Sequence, residues 1–587
     1  MDTFHSFKGY NKFNHAQQHP QQQHEEEAAF RRKSRKRILI ITVSTILLIV
    51  VIIGAVAGTV IHKRNNHKNS DQQQPQLSSA QSIKAVCSQT QYPESCYSSL
   101  SDANKSNTTD PEQLFKLSLQ VAFESLSTLS SYQETLMNTA DKSNDIEALK
   151  VCRTVISDAL DNLNDSVSSM EMKSGEKLLS PQKIDDLRTW LSSAVTNQET
   201  CVDSLQEMNS TFVEPMKSQM KNSTEYTSNS LAVVTKIVSL LKNLDIPIHR
   251  KLLGEMNSEF PEWIKSGDRR LLQEKRPPTP NVTVAKDGSG EVRTINDAIA
   301  MVPNKSDERF VIYVKEGVYA ENVVLAKSLW NVMVYGDGMN KSIVSGSLNK
   351  IDGVPTFATA TFGVSGQGFI AMDMGFMNTA GGIKEQAVAM RSGSDFSVFY
   401  RCSFDAFQDT LYPHSNRQFY RDCNITGTVD FIFGDSSVVF QNCTIMPRQP
   451  LDGQFVTITA QGKKDPNENT GISIQKCVIT PLDSLTAPTY LGRPWKNYST
   501  TVIMQSSIGS FLNPLGWTEW VQGVLPPSSI FYGEYQNVGP GSKVDQRVNW
   551  TGYEPRLTSA QAARFNVNSF IGGSAWLPQT DVTFDST

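Results

Sequence analysis

Residues 395–445, DFSVFYRCSFDAFQDTLYPHSNRQFYRDCNITGTVDFIFGDSSVVFQNCTI, contain one short pattern three times. FYRC ends at Cys402, FYRDC at Cys423 and FQNC at Cys443, at almost equal intervals, and IQKC repeats the pattern at Cys477. A period of about 20–25 residues in β-rich sequence is typical of a parallel β-solenoid, in which each coil stacks on the last. A sandwich of short strands is the alternative, but the period favours the solenoid.

The same period applies to residues that carry chemistry. Asp430 follows Asp409, and Gln408 follows Gln386, by nearly the same interval as that between successive cysteines. Positions one coil apart lie about 4.8 Å from each other, so we expect two carboxyls and two amides on one face. Two close carboxyls cannot both ionise cheaply, and one therefore tends to keep its proton near neutral pH. The spacing predicts an acid beside a base or nucleophile.

Further residues fit such a site. Glutamine N–H groups can donate to a developing oxyanion, and Arg493 in LGRPW can hold the ionised carboxylate by charge-assisted hydrogen bonds. Taken singly, each residue has a plainer interpretation: an Asp in a turn, a Gln in a ladder, an Arg on the surface. Their joint appearance in phase with the period favours a function. Aromatic residues that offer surface to sugar rings are Phe407, Tyr412, Phe431, Phe433 and Trp495.

The N-terminal half has a different period. Residues 81–242 show apolar spacings of three and four, as in LFKLSLQVAFESLSTLSSYQETL (114–136), which predicts an all-α four-helix bundle. This region holds Cys87, Cys96, Cys152 and Cys201. Of the three possible connectivities, spacing favours Cys87–Cys96 and Cys152–Cys201.

One segment resembles a membrane span. The stretch 38–61 contains no charged residue and is long enough to cross a bilayer, and it is preceded by RRKSRKR (31–37) and followed by the less basic HKRNNHK (62–68). The positive-inside rule predicts a signal anchor, with a disordered tail (1–37) in the cytosol and the linker 62–80 and all later residues in the lumen or outside. A cleaved signal peptide is the alternative. The eight cysteines and the twelve N-x-S/T sequons beyond residue 100 agree with that topology.

A linker at 243–275 separates the helical half from a β-rich region, 276–587. It contains RKLL (250–253) and RRLL (269–272), and basic residues in an exposed linker favour proteolysis. A linker that is not cut is the alternative. The whole chain has a formal charge of only −4, so nothing indicates nucleic-acid binding. The sequence also contains no Walker A loop, no GxGxxG motif at a helix start and no HExxH motif.

The C-terminal half resembles the plant pectin methylesterases in five ordered segments. These are GVYAE (317–321), QAVAMR (386–391), FQDTLY (407–412), DFIFG (430–434) and LGRPW (491–495). FQDTLY differs from the usual YQDTLY by one aromatic residue. The helical half resembles the pectin methylesterase inhibitor domain that precedes many of these enzymes as a pro-region. RKLL and RRLL resemble that family's processing motifs, which implies cleavage by a subtilisin-like protease.

The resemblance implies a right-handed parallel β-helix and a role for each matched residue. Asp430 would be the nucleophile that attacks the C6 methyl ester of galacturonate in homogalacturonan, and Asp409 would be the general acid and then the general base. Gln386 and Gln408 would stabilise the oxyanion, and Arg493 would orient Asp430. Thr356 and Trp495 would contact the substrate, together with Gln386 and Arg493.

The resemblance also implies disulfides, partners and a location. The disulfides would be Cys87–Cys96, Cys152–Cys201 and Cys423–Cys443, which leaves Cys402 unpaired. No metal or organic cofactor is implied. Separate inhibitor proteins would be partners, and a membrane-anchored precursor would give rise to a cell-wall enzyme. Residues 273–587 carry 25 Lys/Arg and 28 Asp/Glu, so the processed enzyme would be slightly acidic, whereas many relatives are basic.

Two other functions remain open at this point. Paired carboxylates also suit another β-helical polysaccharide enzyme, a hydrolase or lyase, although an oxocarbenium-like centre needs no amide donors. An inhibitor or binding module with an inactive β-helix is the second, and the intact set of five catalytic residues argues against it.

Overall fold

The computed structural model describes residues 78–103, 107–171, 180–243 and 278–587. These residues fall within one compact unit, in which a helical domain packs against a β-helical domain. The predicted cytosolic tail, the membrane anchor at 38–61 and the RKLL and RRLL motifs lie outside the described residues. Within the ranges given above, no helix is long and apolar enough to span a bilayer.

The helical domain contains the predicted four-helix bundle. A short helical hairpin precedes it and is closed by the Cys87–Cys96 disulfide, whose Cα atoms are 5.5 Å apart. Cys152 and Cys201 join two long helices, also as predicted. The helices of this domain are α1 (Ser79–Cys87), α2 (Pro93–Ala103), α3 (Pro111–Thr139), α4 (Ser143–Ser169), α5 (Pro181–Glu207) and α6 (Val213–Asn243).

Local sequence fixes where the long helices begin. Asp110 caps α3 by accepting a hydrogen bond from the backbone N–H of Glu112, and Pro111 follows at the first helical position. Ser180 and Pro181 form the same arrangement at the start of α5. The helix α5 packs against the β-helix and contributes to the site described below.

The β-helix consists of three parallel sheets, which confirms the predicted fold class. The first sheet contains β1 (Val282–Val284), β2 (Phe310–Val314), β5 (Val332–Gly336), β8 (Ile370–Met372), β11 (Ser397–Tyr400), β14 (Arg417–Arg421), β17 (Ser437–Gln441), β20 (Gly471–Gln475), β23 (Thr500–Met504), β25 (Phe531–Tyr535) and β26 (Tyr553–Glu554). The second contains β4 (Val323–Leu325), β7 (Phe362–Val364), β10 (Met390–Ser392), β13 (Leu411–Pro413), β16 (Ile432–Gly434), β19 (Val456–Gln461) and β22 (Thr489–Gly492). The third contains β3 (Gly317–Ala320), β6 (Ser342–Gly346), β9 (Gly375–Asn378), β12 (Ser403–Asp405), β15 (Asn424–Gly427), β18 (Thr444–Pro447), β21 (Val478–Ile479) and β24 (Ser507–Ile508).

The repeated FYRC pattern marks one corner of the coil. The residue before each cysteine of the column has a positive φ, 51° at Arg401, 55° at Asp422, 55° at Asn442 and 52° at Lys476. This left-handed residue turns the chain from the first sheet into the third, and the next residue points its side chain into the interior. The sequence period is therefore the repeat of this turn.

The interior of the β-helix is built from stacked side chains in register. Phe399 pairs with Tyr420 and Tyr420 with Phe440, and their ring centroids are 4.5 and 4.6 Å apart. The central hydrophobic cluster of this domain contains residues from the β-helical domain alone. The β-helix thus has a core of its own, independent of the helical domain.

Four short helices complete the β-helical domain. The first packs near β1 and β4, and the other three follow the last strand and cover part of the first sheet. They are α7 (Ile295–Ile299), α8 (Ser559–Ala563), α9 (Val567–Ile571) and α10 (Gly573–Trp576).

The Cys423–Cys443 disulfide implied by the family resemblance is wrong for this structure. Cys402, Cys423, Cys443 and Cys477 are all buried free thiols. They occupy one column in which neighbouring thiols are hydrogen-bonded but not covalently joined, and each sulfur also contacts backbone carbonyl oxygens. The Cys423 Sγ lies 3.3 Å from the Phe399 oxygen, and the Cys443 Sγ lies 3.5 Å from the Tyr420 oxygen.

Candidate active site

All seven residues that the sequence predicted for catalysis or substrate binding line one cavity of about 280 Å³. The cavity lies along the second sheet, where β10, β13, β16 and β22 end or begin. Its predicted members are Thr356, Gln386, Gln408, Asp409, Asp430, Arg493 and Trp495. The period therefore placed the two aspartates and the two glutamines on one face as expected, whereas Thr356 was predicted from the family resemblance, and the individual roles of all seven stay predictions.

The two aspartates occupy the same turn on consecutive coils. Each precedes a strand of the second sheet, and the pairing of Leu411 with Ile432 puts Asp409 opposite Asp430, about 4.8 Å apart along the stack. Both residues have positive φ, 63° and 52°, a conformation that Asp tolerates better than most residues. The turn directs both carboxyls into the cavity.

Asp430 is held as a carboxylate by two neighbours. The Arg493 guanidinium donates to both oxygens, with Nε 2.8 Å from Oδ1 and Nη2 2.6 Å from Oδ2. The Thr457 hydroxyl donates to Oδ1 at 2.6 Å and accepts the Asp430 backbone N–H at 2.8 Å. Burial alone would lower the pKa of Arg493, but its bonds to Asp430 raise that pKa overall.

Asp409 has the opposite environment. Burial raises the pKa of its carboxyl well above the usual value, and the negative charges of Asp430 and Glu207 raise it further, against a smaller opposing effect of Arg493. A buried carboxyl beside a carboxylate keeps its proton at neutral pH. The surroundings of the pair therefore favour the proton on Asp409, while Arg493 binds the other carboxyl, that of Asp430.

The two glutamines lie on adjacent coils but one residue out of step. The strand register puts Gln386 opposite Phe407, so its neighbour Ala387 donates its N–H to the Gln408 carbonyl at 3.2 Å. Both side chains still line the cavity. The Gln386 Oε1 atom is buried and has no hydrogen-bond partner among the described residues, which leaves this amide available to a bound molecule.

The aromatic residues divide between the cavity and the core. Tyr412 and Phe433 stack at 4.1 Å and line the cavity with Trp495. Phe431 was predicted to offer surface to a sugar ring, but it is fully buried inside the solenoid, because the left-handed turn at Asp430 directs the Asp430 carboxyl into the cavity and the next side chain into the core. Phe407 lies under the Arg448 guanidinium, 4.1 Å away, and does not line the cavity.

Two residues at the site could not be predicted from the spacing of the sequence repeat. Trp520 lines the cavity from a loop outside the repeat, and the Arg493 guanidinium lies 4.3 Å from its ring centroid. Thr457 occupies the column of Asp409 and Asp430 on the next coil, but a longer loop separates it from Asp430 by 27 residues. Alignment by strand register would have found Thr457, whereas a fixed period does not.

The helix α5 forms one wall of the same cavity. Glu207, at its last position, accepts hydrogen bonds from the Thr356 N–H at 3.0 Å and from the Thr356 hydroxyl at 2.5 Å. Burial raises the pKa of Glu207, although its bonds to Thr356 oppose that change. The residues of α5 that line the cavity are Thr200, Asp203, Ser204, Gln206 and Glu207.

Contacts along the rest of α5 hold it in this position. Asp186 pairs with Arg417 at 2.7 Å, and the Thr196 hydroxyl donates to Asp435 at 2.8 Å. Apolar residues of the β-helix face, including Phe357 and Tyr412, belong to the same hydrophobic cluster as the helical bundle. The helical domain therefore covers the cavity with a continuous, mixed polar and apolar interface.

Comparison with known proteins agrees with this architecture. The Pectinesterase family model matches residues 281–574, and the plant invertase/pectin methylesterase inhibitor model matches residues 81–233. "Pectinesterase 3" of Phaseolus vulgaris is 58% identical over 522 residues, which is 88% of each chain. "Pectinesterase 1" of Arabidopsis thaliana is 57% identical over 518 residues, covering 86% of this chain and 88% of the relative.

One solved structure bears on the independence of the β-helix. The pectin methylesterase from carrot is 50% identical, with a TM-score of 0.52, and the match covers 99% of that chain but 53% of this one. The carrot chain consists almost entirely of the matched part. The solved chain of that relative thus contains the β-helix alone, in line with the separate core found here.

Proposed function

We propose that this chain, which belongs to the pectinesterase family, hydrolyses the C6 methyl esters of homogalacturonan through an acyl-enzyme on Asp430. The observation that carries the proposal is the two-bond pairing of Arg493 with Asp430, directly beside the buried Asp409. One carboxyl is kept ionised and oriented, and the other is kept protonated. Nucleophilic attack and leaving-group protonation need these two states.

In the first step the Asp430 carboxylate attacks the ester carbonyl carbon. The carbonyl electrons move to oxygen, and the amides of Gln386 and Gln408 donate to the resulting oxyanion. The C–O bond to the methoxy group then breaks, and Asp409 gives its proton to the departing methanol.

In the second step Asp409, now ionised, takes a proton from water. The water oxygen attacks the acyl carbon, the bond to Asp430 breaks, and the product leaves as a galacturonic acid, whose carboxyl then loses its proton to solvent. Asp409 is protonated again and Asp430 is again a free carboxylate, so the enzyme returns to its starting state. Arg493 keeps Asp430 a good leaving group because the guanidinium stabilises the carboxylate that reforms.

The test is methanol release from highly methylated pectin by the fragment 273–587. Asp430→Asn should lower kcat by about a thousandfold or more, because the nucleophile is lost. Asp422→Asn is a matched control, since Asp422 has the same left-handed conformation at the other corner of the coil. Shortened polysaccharide chains with no methanol would instead indicate a hydrolase or lyase and contradict the proposal.

We propose further that the helical domain prevents substrate binding in the full-length chain. Five residues of α5 line the cavity, and the Glu207 carboxylate takes up both donors of Thr356, the predicted substrate contact. Cleavage at RKLL or RRLL would release this domain and yield a secreted cell-wall enzyme. The membrane anchor would hold the precursor in the secretory pathway until then.

Two measurements test this part. The full chain should release methanol much more slowly than the fragment 273–587, and equal rates would contradict inhibition. Arg269→Ala with Arg270→Ala, combined with Arg250→Ala and Lys251→Ala, should leave a full-length protein retained inside the cell. Normal secretion of the short form from that variant would contradict processing at these motifs.

A further inference from the structure

Two lysines form a cationic wall next to the catalytic cavity. Lys464 follows β19, and Lys496 follows Trp495 on the next coil, where the Trp495 N–H donates to the Gln461 carbonyl at 3.3 Å. The Lys496 side chain is 18% exposed, whereas that of Lys464 is half exposed. With α5 in place, Lys496 is thus a largely buried cation, and a buried ammonium requires a countercharge.

Among the described residues, carboxylates of α5 alone pair with these two ammonium groups. Lys496 donates to Glu199 at 2.8 Å and to Asp203 at 2.6 Å, and Lys464 also donates to Glu199. The β-helix itself supplies no carboxylate to either ammonium within the part of the chain that the structure describes. When α5 is absent, both ammonium groups therefore lose their carboxylate partners and can bind another anion.

This cationic wall adjoins the reacting centre. Trp495 lines the catalytic cavity, and the Lys496 Nζ lies 5.1 Å from the centre of its ring. Asp203 borders the cavity as well as Lys496, and Glu207, one turn or about 6 Å further along α5, reaches Thr356. The carboxylates of Glu199, Asp203 and Glu207 thus follow the groove at i, i+4 and i+8.

A polygalacturonate chain offers the matching anion. A de-esterified residue carries a carboxylate, whereas an esterified one carries a neutral methyl ester. An ammonium group forms a charge-assisted hydrogen bond with the former, and with the latter it loses hydration without gaining a countercharge. Two lysines in the groove therefore distinguish the two kinds of residue.

We propose that Lys464 and Lys496 form a subsite for the free carboxylate of a galacturonate residue adjacent to the ester being cleaved. The proposal rests on the proposed function, since it concerns the same groove and the same polymer. The α5 acids occupy this subsite in the full chain. The two lysines are then specificity-determining residues, which select chains already carrying a free carboxylate beside the reactive ester.

The test compares two homogalacturonans, one randomly half-esterified and one almost fully esterified. The fragment 273–587 and its Lys464→Met, Lys496→Met double variant are assayed for methanol release on both. The ratio of kcat/KM on the half-esterified to that on the fully esterified polymer should fall about tenfold, which corresponds to about 1.4 kcal/mol. The double variant Lys464→Arg, Lys496→Arg keeps both cations and should keep most of the preference.

Lys341→Met is the matched control, because Lys341 is exposed and pairs with Glu316 outside the groove. It should change neither the rate nor the ratio. An unchanged ratio in the folded double Met variant, or an equal loss on both polymers, would overturn the subsite. Failure of the wild-type fragment to release methanol from either polymer would instead refute the proposed function, so the two failures are distinguishable.

Discussion

The hydroxyl of Thr457 is expected to contribute directly to the rate of the reaction. It donates to the Asp430 carboxylate at 2.6 Å and accepts the backbone N–H of the same residue at 2.8 Å. Thr457→Val keeps the shape and the β-branch but removes both bonds. Arg493 still binds the Asp430 carboxyl in this variant, but without the Thr457 hydroxyl the carboxyl gains freedom to rotate away from the attack position.

The magnitude follows from the bond that is lost. A hydrogen bond to a charged group contributes about 1.5–3 kcal/mol, so kcat should fall by roughly tenfold to a hundredfold. KM should change little, since Thr457 does not line the cavity. Thr457→Ser restores the hydroxyl and should recover most of the rate.

Thr459 provides a matched control on the same strand. It is equally buried, but its hydroxyl donates to the Leu491 carbonyl at 2.9 Å and touches neither aspartate. Thr459→Val should lower the thermal stability of the fragment 273–587 and leave kcat unchanged. A wild-type kcat in Thr457→Val, or an equal loss of kcat in Thr459→Val, would refute the role of Thr457.

Three further predictions concern the site and its cover. Arg493→Lys in the fragment should lower kcat about tenfold or more, because one ammonium cannot reproduce both bonds to Asp430. Arg547→Lys, which disrupts the more deeply buried pair with Glu534 far from the cavity, should lower the melting temperature and not kcat. Glu207→Gln should raise the activity of the full chain several-fold, since Thr356 loses a charged acceptor, and Glu214→Gln, an exposed change on α6, should have no effect. Docking should weaken as the pH rises, because burial raises the pKa of Glu207 and of Asp186 on α5 in the docked state. A group with a raised pKa stabilises the docked state below its ordinary pKa and loses that contribution as the pH passes the raised value, while Glu199, whose pKa the lysines lower, acts in the opposite sense. The full-chain rate divided by the fragment rate should therefore increase with pH, and a ratio that falls would contradict this assignment.

The sequence period predicted the part of the site that lies on coils of equal length. Asp409 and Asp430 meet because the chain between them makes one complete coil, and the corner residues before Cys402 and Cys423 repeat with the same spacing. The next coil is longer, so Thr457 falls outside the period although it lies in the same column. A loop insertion changes the sequence spacing without changing the stacking, and only the strand register reveals it.

Two failures of the sequence-based prediction have a clear physical origin. Phe431 was assigned to the groove because it adjoins Asp430, but the left-handed turn at Asp430 points the two side chains in different directions, and that of Phe431 fills the core. The contacts of α5 were not predictable from local pattern, since Glu207 and Thr356 are 149 residues apart and belong to separate domains. An amphipathic pattern indicates that a helix buries one face, but it does not indicate that a second face covers a catalytic groove.

Hydrogen-bond donors that the proposals assign to the bound polymer also bind the helix α5. Thr356 binds Glu207, and the ammonium of Lys496 binds Asp203, so α5 takes up polar groups that the proposed mechanism and subsite assign to the polymer. A substitution that strengthens carboxylate binding in the groove will strengthen the docking of α5 as well, because both depend on the same hydrogen-bond donors. The helix has the advantage of being covalently tethered, which gives it a high effective concentration that free polymer cannot match. If the helical domain inhibits the enzyme as proposed, cutting the linker would remove that advantage without changing a single contact, and we therefore expect proteolysis, and not mutation of the groove, to favour substrate over helix.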